Sequence, residues 1–341
     1  MAQLSLEEKF ELVKRNTEEI IGEDDLKKLL KEKKKPVAYI GTAPTGRPHV
    51  GYFIWGLKVA DLLKAGFHVK ILIADLHAAL DNTPWNLLEH RYDYYVEIIP
   101  LMIKAMGADI SELEFVKGSE LQLKPVYMYD VLKMSSNVSV RDSTRAASEV
   151  VKMGDNPKLS GLIYPLMQAV DEQYLEVDMQ VGGTDQRKIF VMAREQLPKI
   201  GYDSRIELMF PLLPGLVGKK MSSSDIKTKI DLLDDEKTVK DKLKGADCIT
   251  GDPDNGVMAF LKHVLMVIKG DKGEKFIIKR DEKYGGNLEY GNYEEIEKDF
   301  VSKKIHPLDL KNAVADEISG LLELIHKKKK ELEKISKLGY P

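Results

Sequence analysis

Strand-like runs that alternate with helical patterns constrain the fold more than any other feature of this sequence. These runs occupy residues 37–41, 69–75, 114–117 and 177–181. The second is almost continuously apolar, which is typical of a strand buried on both faces of a parallel sheet. Segments with apolar residues at helical spacing separate the runs. This alternation predicts an α/β fold with a doubly wound parallel sheet.

The pattern differs before the first strand and after the last one. Residues 5–34 predict two charged helices. Their apolar stripe is formed by Leu6, Phe10, Val13, Ile20 and Ile21. A longer helix is predicted over 85–106, with a kink at Pro100. From about residue 225 a charged helical pattern dominates, so we predict a domain boundary within 225–235 and a separate helical domain after it.

Composition excludes several classes of protein. The 52 Lys and Arg residues balance 55 Asp and Glu residues, which excludes a strongly basic, histone-like binder but not one basic face. A single cysteine, Cys248, excludes a disulfide framework and multi-cysteine zinc sites and suits a reducing compartment. No apolar run reaches the roughly 18 residues of a membrane span. An acidic pair interrupts the start of the chain, so we expect no signal peptide and a cytoplasmic location.

The first candidate motif is PTGRPHVGY at 44–52, directly after a strand and before a helix. Glycines at 46 and 51 let a ligand approach the backbone closely, and a helix amino terminus attracts phosphate. His49 and Tyr52 are three residues apart and share a helix face. The alternative is an ordinary strand–helix turn with an incidental histidine.

Two further motifs carry polar side chains at suggestive spacings. The segment GKKMSSS at 218–224 combines lysines with hydroxyls, a phosphate-binding composition, although a surface loop would look similar. Tyr164, Gln168 and Asp171 line one face of a predicted helix, as a pocket wall or as a solvated face. Glycines 182–183 end a strand and permit close ligand approach. Asp185 beyond them could bind ribose hydroxyls or could belong to a plain turn.

Taken together and in this order, the motifs resemble those of class I aminoacyl-tRNA synthetases. HVGY at 49–52 stands at the HIGH signature and KMSSS at 220–224 at the KMSKS signature. Tyr39, combined with the motifs at 164–171 and 183–186, is similar to tyrosyl-tRNA synthetases of the archaeal and eukaryotic cytosolic type. The likeness runs over nearly the whole chain. Because the chain ends near Tyr340, we expect no appended carboxyl-terminal domain of the kind found in some animal members.

The resemblance implies the domain plan, the reaction and the partners. It implies amino-terminal helices (1–35) packed on a Rossmann catalytic domain with an acceptor-stem-binding insertion (36–228). An all-helical anticodon-binding domain (229–341) would follow, in a homodimer. The family converts L-tyrosine and ATP, which enters with Mg²⁺, to tyrosyl-adenylate and pyrophosphate, and then transfers the tyrosyl group to the 3′ end of tRNA(Tyr). Such chemistry needs positioning and charge stabilisation rather than a protein nucleophile, and we predict no protein metal site.

The resemblance also implies which residues act. The catalytic set, which stabilises the leaving pyrophosphate, is His49, Lys220, Ser222, Ser223 and Ser224. The residues implied to hold the substrate tyrosine are Tyr39, Leu72, Tyr164, Gln168, Asp171 and Gln186. Those implied to hold ATP are Gly41, Thr42, Pro44, Gly46, His49, Gly51, Tyr52, Gly183, Asp185, Met221 and Ser223. Those implied to contact tRNA are Arg145, Arg187 and Lys188 at the acceptor stem, and Tyr284 and Asp309 at the anticodon.

Two signature positions depart from the general pattern, and three other functions compete. Tyr52 replaces the second histidine of HIGH and Ser223 the second lysine of KMSKS. We hypothesise that a monovalent cation near 220–224 replaces the missing lysine charge. The competing functions are a tryptophanyl-tRNA synthetase, a nucleotidyltransferase for another small acid, and a non-catalytic tRNA-binding paralogue.

Overall fold

A mainly parallel six-stranded sheet organises the amino-terminal part of the chain. The computed structural model describes residues 4–151, 154, 156–215 and 229–341. The strands are β1 (Glu19–Ile21), β2 (Val37–Thr42), β3 (His68–Ile73), β4 (Leu113–Lys117), β5 (Met179–Gly183) and β6 (Ile206–Phe210). Their order is β1-β6-β5-β2-β3-β4, and all neighbours are parallel except β1, which pairs antiparallel with β6. The predicted doubly wound α/β fold is confirmed.

Helices cover the sheet and fill the connections between its strands. They are α1 (Leu6–Lys14), α2 (Glu23–Glu32), α3 (Phe53–Lys64), α4 (Asp75–Leu80), α5 (Leu88–Ala105), α6 (Gly118–Gln122), α7 (Pro125–Ser135), α8 (Val140–Ala147), α9 (Leu159–Tyr174) and α10 (Arg187–Ile200). The predicted helix at 85–106 is α5 preceded by a 3₁₀ turn, Trp85–Leu87, and it continues through Pro100. None of the described helices combines the length and apolarity needed to cross a membrane.

Strand β1 lies where a helical stripe was predicted for Ile20 and Ile21. Helix α1 ends at Lys14, and Asn16 and Gly22 adopt positive φ values of 50° and 93°, which a continuous helix does not allow. The two isoleucines pair instead with Leu208 and Glu207 of β6. The helical prediction for these residues was therefore wrong.

The carboxyl-terminal part is helical apart from one hairpin. Its helices are α11 (Glu236–Lys244), α12 (Gly256–Phe260), a π-helical turn Leu261–Leu265, α13 (Met266–Lys272), α14 (Tyr293–Val301), α15 (Pro307–His326) and α16 (Lys329–Gly339). Strands β7 (Phe276–Ile278) and β8 (Leu288–Tyr290) pair antiparallel, which corrects the expectation of an all-helical segment. Gly273 ends α13 at φ 66°, and Gly285 and Gly286 turn the hairpin connection at φ 91° and 71°.

The pleat of the sheet decides which side chains face the site. Ile40 and Ile71 belong to the hydrophobic cluster that also contains α3 and α5 residues. Their neighbours Tyr39 and Leu72 point to the opposite face, where they pack with Leu175 at the end of α9. Because α9 carries the predicted polar stripe, this alternation turns Tyr39 toward it.

Candidate active site

A cavity of about 1110 Å³ lies at the carboxyl ends of the central strands, where open α/β sheets usually bind ligands. The predicted residues that line it are Tyr39, Gly41, Thr42, His49, Gly51, Tyr52, Leu72, Tyr164, Gln168, Asp171, Gly183, Asp185 and Gln186. They come from β2, β3, β5, the 3₁₀ turn Thr184–Gln186 that follows β5, α9 and the turn before α3. The structure therefore brings the predicted tyrosine set and most of the predicted ATP set to one cavity.

Two buried groups at one end of the cavity are suited to bind a hydroxyl. The Tyr39 hydroxyl donates to the carbonyl oxygen of Gln168 at 3.5 Å, and burial raises its pKa well above the usual value, so it stays protonated. Asp171 is 1% exposed. Its Oδ2 has no hydrogen-bond partner within the described residues, and burial raises its pKa to about 7. A buried carboxylate oxygen without a partner is costly unless a ligand donates to it.

Polar side chains continue from this end toward the nucleotide side. Gln168 Nε2 donates to Gln186 Oε1 at 3.1 Å, and Gln186 Nε2 lies 3.4 Å from Asp185 Oδ1. Tyr164 packs edge-on against the ring of His77, with 4.5 Å between centroids. Burial lowers the pKa of His77 to about 4, so this imidazole is neutral at pH 7. Donors and acceptors for an amino acid's charged end thus stand next to the hydroxyl site.

His49 occupies a fixed position at the opening of α3. Its Nδ1 accepts a hydrogen bond from the Gly51 N–H at 3.1 Å and caps the 3₁₀ turn Val50–Tyr52. Burial, with the charge of Lys229, lowers the pKa of His49 to about 3. A neutral imidazole whose Nδ1 accepts carries its hydrogen on Nε2, so His49 presents a donor.

The turn before His49 is held from behind by α5 and the end of the chain. Arg91 Nη1 donates to the Pro44 and Thr45 carbonyls at 3.0 and 2.7 Å. The Gly46 carbonyl accepts from the hydroxyls of Tyr95 at 2.6 Å and Tyr340 at 3.2 Å. Pro44 and Gly46 are not among the described residues that line the cavity. Their backbone shapes the turn, whereas Thr42 and Gly51 face the cavity.

The predicted residues Lys220, Met221, Ser222, Ser223 and Ser224 lie outside the described residues. The segment that follows them runs beside His49: the Val50 N–H donates to the Ile230 carbonyl at 2.9 Å, and Arg47 Nε lies 2.9 Å from Asp231 Oδ2.

Glycines end β5 because no side chain fits there. A Cβ on Gly182 would lie 2.6 Å from the Phe190 ring, and one on Gly183 would lie 2.6 Å from Leu212 and 2.7 Å from Asp185 Oδ1. Backbone therefore forms the cavity wall beside Asp185. The close neighbours are side chains of the protein itself, so the close approach of a ligand stays a prediction.

The residues predicted to contact tRNA lie outside the cavity. Arg187 makes a two-pronged contact with Glu19, at 2.6 Å through Nε and 2.8 Å through Nη2. Lys188 Nζ lies 2.7 Å from Glu149 Oε1, and Arg145 is exposed on α8. In the carboxyl-terminal part, Tyr284 is 65% exposed.

Sequence reasoning missed three residues that support the site. Gln122 and Tyr127 hydrogen-bond Asp171, and Arg91 holds the turn at 44–45. Each contacts a partner at least 44 residues away in the chain. No local spacing signals such contacts.

Comparisons with known proteins indicate the family of the chain. The profile of a family described as tRNA synthetases class I (W and Y) matches residues 31–323. The cytoplasmic tyrosine–tRNA ligase of Danio rerio is 50% identical over 99% of the chain, which spans 64% of that protein's length. The corresponding Saccharomyces cerevisiae protein is 46% identical, with 98% of this chain and 88% of that protein covered.

Among solved structures, a tyrosyl-tRNA synthetase resembles the chain more than a tryptophanyl-tRNA synthetase does. The tyrosyl-tRNA synthetase of Archaeoglobus fulgidus, complexed with L-tyrosine, superimposes with a TM-score of 0.88 at 39% identity, covering 95% of this chain and all of that one. A tryptophanyl-tRNA synthetase of Aeropyrum pernix reaches 0.70 at 18% identity, covering 94% and 84%, which shows a shared fold alone.

Proposed function

The chain belongs to the class I tRNA synthetases of the tryptophan and tyrosine family, and we propose that it activates L-tyrosine with ATP and transfers it to tRNA(Tyr). The observation that carries this proposal is that Oδ2 of Asp171, in the same buried pocket as Tyr39, has no hydrogen-bond partner in the described part of the chain. A phenol hydroxyl donates to the carboxylate and accepts from Tyr39. An indole offers only a donor, so tryptophan would leave one of the two groups unpaired.

In the proposed first step, a carboxylate oxygen of tyrosine attacks the α-phosphorus of Mg²⁺-bound ATP. A new O–P bond forms, and the bond to the leaving pyrophosphate breaks. Tyr164, Gln168 and Gln186 hold the amino acid, while Asp185 binds ribose. His49 Nε2–H donates to the phosphate oxygens as their charge grows, and this favours the transition state. The adenylate then passes its tyrosyl group to the terminal ribose hydroxyl of the tRNA, and AMP leaves.

For the 220–224 motif we keep the hypothesis that Lys220 and the hydroxyls hold phosphate and that a monovalent cation supplies the missing lysine charge. Rates of activation that depend on the monovalent cation at constant excess Mg²⁺ would support it. Activation rates that are identical with every monovalent cation would show that no such cation takes part in the reaction.

The function is tested by ATP–pyrophosphate exchange without tRNA, across all twenty amino acids. We expect exchange with tyrosine alone. Exchange with tryptophan would overturn the assignment of the pocket, and exchange with none would favour a tRNA-binding paralogue. We also propose a cytoplasmic location, because the Danio and Saccharomyces relatives are named as cytoplasmic proteins.

We propose that two copies associate through α7 and Leu123, which lies two residues before it. This surface exposes a row of apolar side chains that includes Leu123, Val126, Tyr129 and Leu132. Val126, Tyr129 and Leu132 lie three residues apart on α7, so each is next to the following one on the helix surface, and an exposed apolar patch of this kind favours self-association.

Substituting Glu for both Val126 and Leu132 is expected to shift the protein from dimer to monomer in sedimentation velocity, because facing charges would be buried. Ile249→Glu, which changes an equally exposed side chain in the carboxyl-terminal part, should leave association unchanged. A dimer that survives the double substitution would place the interface elsewhere.

We propose that the carboxyl-terminal segment 229–341 reads the anticodon and that Arg145, Arg187 and Lys188 contact the acceptor stem. The exposed Tyr284 ring is available to stack on an unpaired base, and Asp309 lies in the first turn of α15, where its carboxylate can accept from a base edge. The Arg187–Glu19 pair is exposed, so exchanging Glu19 for a guanine edge costs little.

Asp309→Ala is expected to leave ATP–pyrophosphate exchange unchanged and to lower kcat/KM for tRNA charging by roughly 10- to 100-fold. Asp316→Ala, an exposed carboxylate on the same helix, serves as the matched control. Loss of exchange as well would indicate misfolding rather than a lost base contact.

A further inference from the structure

Among the residues that the structure describes, only one of the two carboxylate oxygens of Asp171 has hydrogen-bond partners. Gln122 Nε2 and the Tyr127 hydroxyl both reach Oδ1, each at 2.8 Å. We propose that Gln122 and Tyr127 are positioning residues for substrate selection: by donating to the same oxygen of Asp171, they keep its other oxygen free as the acceptor for the substrate hydroxyl. This inference rests on the proposed function and extends it to two residues that do not themselves line the cavity.

The orientation of Gln122 is set by a second acceptor. Its Nε2 also lies 3.3 Å from His77 Nδ1, so the two N–H bonds of one amide group serve Asp171 and His77. His77 is neutral at pH 7, and its Nδ1 accepts in the tautomer that carries the ring hydrogen on Nε2. If the Gln122 amide were reversed, its Oε1 would face two acceptors, Asp171 Oδ1 and His77 Nδ1. A Cβ on Gly118 would lie 3.0 Å from Gln122 Oε1, so the glycine leaves room for the amide.

Tyr127 has two acceptors for its single hydrogen. Its hydroxyl lies 2.7 Å from the Met167 carbonyl and 2.8 Å from Asp171 Oδ1. When Asp171 is ionised, the hydroxyl donates to the carboxylate. When Asp171 is protonated, the hydroxyl can turn to Met167 and accept from the acid. Rotation of the Tyr127 hydroxyl lets it form hydrogen bonds in both ionisation states of Asp171. Only the ionised state combines two donors on Oδ1 with an acceptor at Oδ2 for the substrate.

The other titratable groups around Asp171 do not replace these donors. Burial raises the pKa of Tyr39 and of Tyr164, which therefore stay protonated. His77 stays neutral near pH 7. Glu172, the next residue, is buried and its pKa is raised, and its ionisation would push the Asp171 pKa further up. Removing a donor from Oδ1 should therefore raise the pH at which Asp171 ionises.

The test compares Tyr127→Phe and Gln122→Met with the unchanged chain. In ATP–pyrophosphate exchange, kcat/KM for tyrosine should fall toward acid pH with a midpoint near the Asp171 pKa of about 7. Each substitution should move this midpoint up by about half to one pH unit. At pH 7 we expect the preference for tyrosine over phenylalanine to drop several-fold, with KM for ATP unchanged. Repeating the comparison in a Glu172→Gln background should preserve the shift.

Tyr174→Phe is the matched control. Its hydroxyl donates to Asp130 on α7 at 2.7 Å, and its ring packs against Tyr127 with 5.0 Å between centroids. Tyr174→Phe therefore removes a phenol hydroxyl from the carboxylate of Asp130, which is on the same helix as Tyr127, and leaves the contacts of Asp171 intact. The pH midpoint should not move. An unmoved midpoint in the two test variants, or an equal shift in the control, would overturn the proposal.

An activity-independent measurement separates this proposal from the proposed function. Carboxyl ¹³C resonances of labelled aspartate are titrated in the substrate-free protein, and Asp171 is assigned with Asp171→Asn. The Asp171 pKa should be higher in both variants than in the unchanged chain. If the chain failed to activate tyrosine but this pKa difference were present, the function would be wrong and the network right. Equal pKa values would overturn the network whatever the substrate.

Discussion

Asp171→Ala is expected to lower kcat/KM for tyrosine in ATP–pyrophosphate exchange by roughly 10²- to 10³-fold, with little change in KM for ATP. The substitution removes the acceptor for the substrate hydroxyl at a buried position of the cavity wall. It also removes the acceptor shared by the Gln122 amide and the Tyr127 hydroxyl, which keep their second acceptors, His77 Nδ1 and the Met167 carbonyl.

Two variants sharpen this result. Asp171→Asn keeps the shape but cannot ionise, so its smaller loss of activity should no longer depend on pH between 6 and 8. Asp130→Asn is the control for the loss of a buried carboxylate. Asp130 is 5% exposed and accepts hydrogen bonds from two tyrosine hydroxyls, at 2.5 and 2.7 Å, but it does not line the cavity. Equal losses of tyrosine binding and ATP binding in Asp171→Ala would show that Asp171 does not bind the amino acid specifically.

His49→Asn is expected to lower kcat for tyrosine activation by roughly 10²- to 10³-fold while leaving the protein folded. Asparagine is a good helix cap and can accept from the Gly51 N–H as the histidine does. It cannot reach as far as the imidazole Nε2–H, which we assign to the phosphates. His49→Ala should lose the cap as well, adding about 1 kcal/mol of destabilisation that thermal unfolding would detect.

The pH dependence gives a second criterion for His49. Because burial and Lys229 lower its pKa to about 3, the imidazole is neutral throughout the working range and its Nε2 donates at every pH above about 4. Any acid loss of activity near pH 7 should therefore persist in His49→Asn. Disappearance of that loss would mean that His49 titrates during turnover. His68→Asn, at a half-buried histidine on the far end of β3, is the control.

Much of the fold follows from local periodicity. The apolar runs predicted β2, β3, β4 and β5, and the spacing of Tyr164, Gln168 and Asp171 predicted a polar face on α9. The cavity brings that face together with His49 and Asp185, as the motifs indicated. These signals are local because strand and helix periods are set by the residues within each element.

Other features depend on partners far along the chain. Ile20 and Ile21 fit a helical stripe by spacing, but they pair with β6, almost two hundred residues later in the sequence. The hairpin of β7 and β8 has only three residues per strand, too few for period-two alternation to stand out.

The sequence by itself determined the alternating α/β plan and the chemical identity of the residues that face the cavity, because both are written in short-range spacing. Only the tertiary structure decided how those residues are held. Gln122 and Tyr127 meet Asp171, and Arg91 and Tyr340 meet the turn before His49, through packing of distant elements. Such contacts arise when hydrophobic burial brings elements together, and a buried polar group then needs whichever partner lies nearest in space.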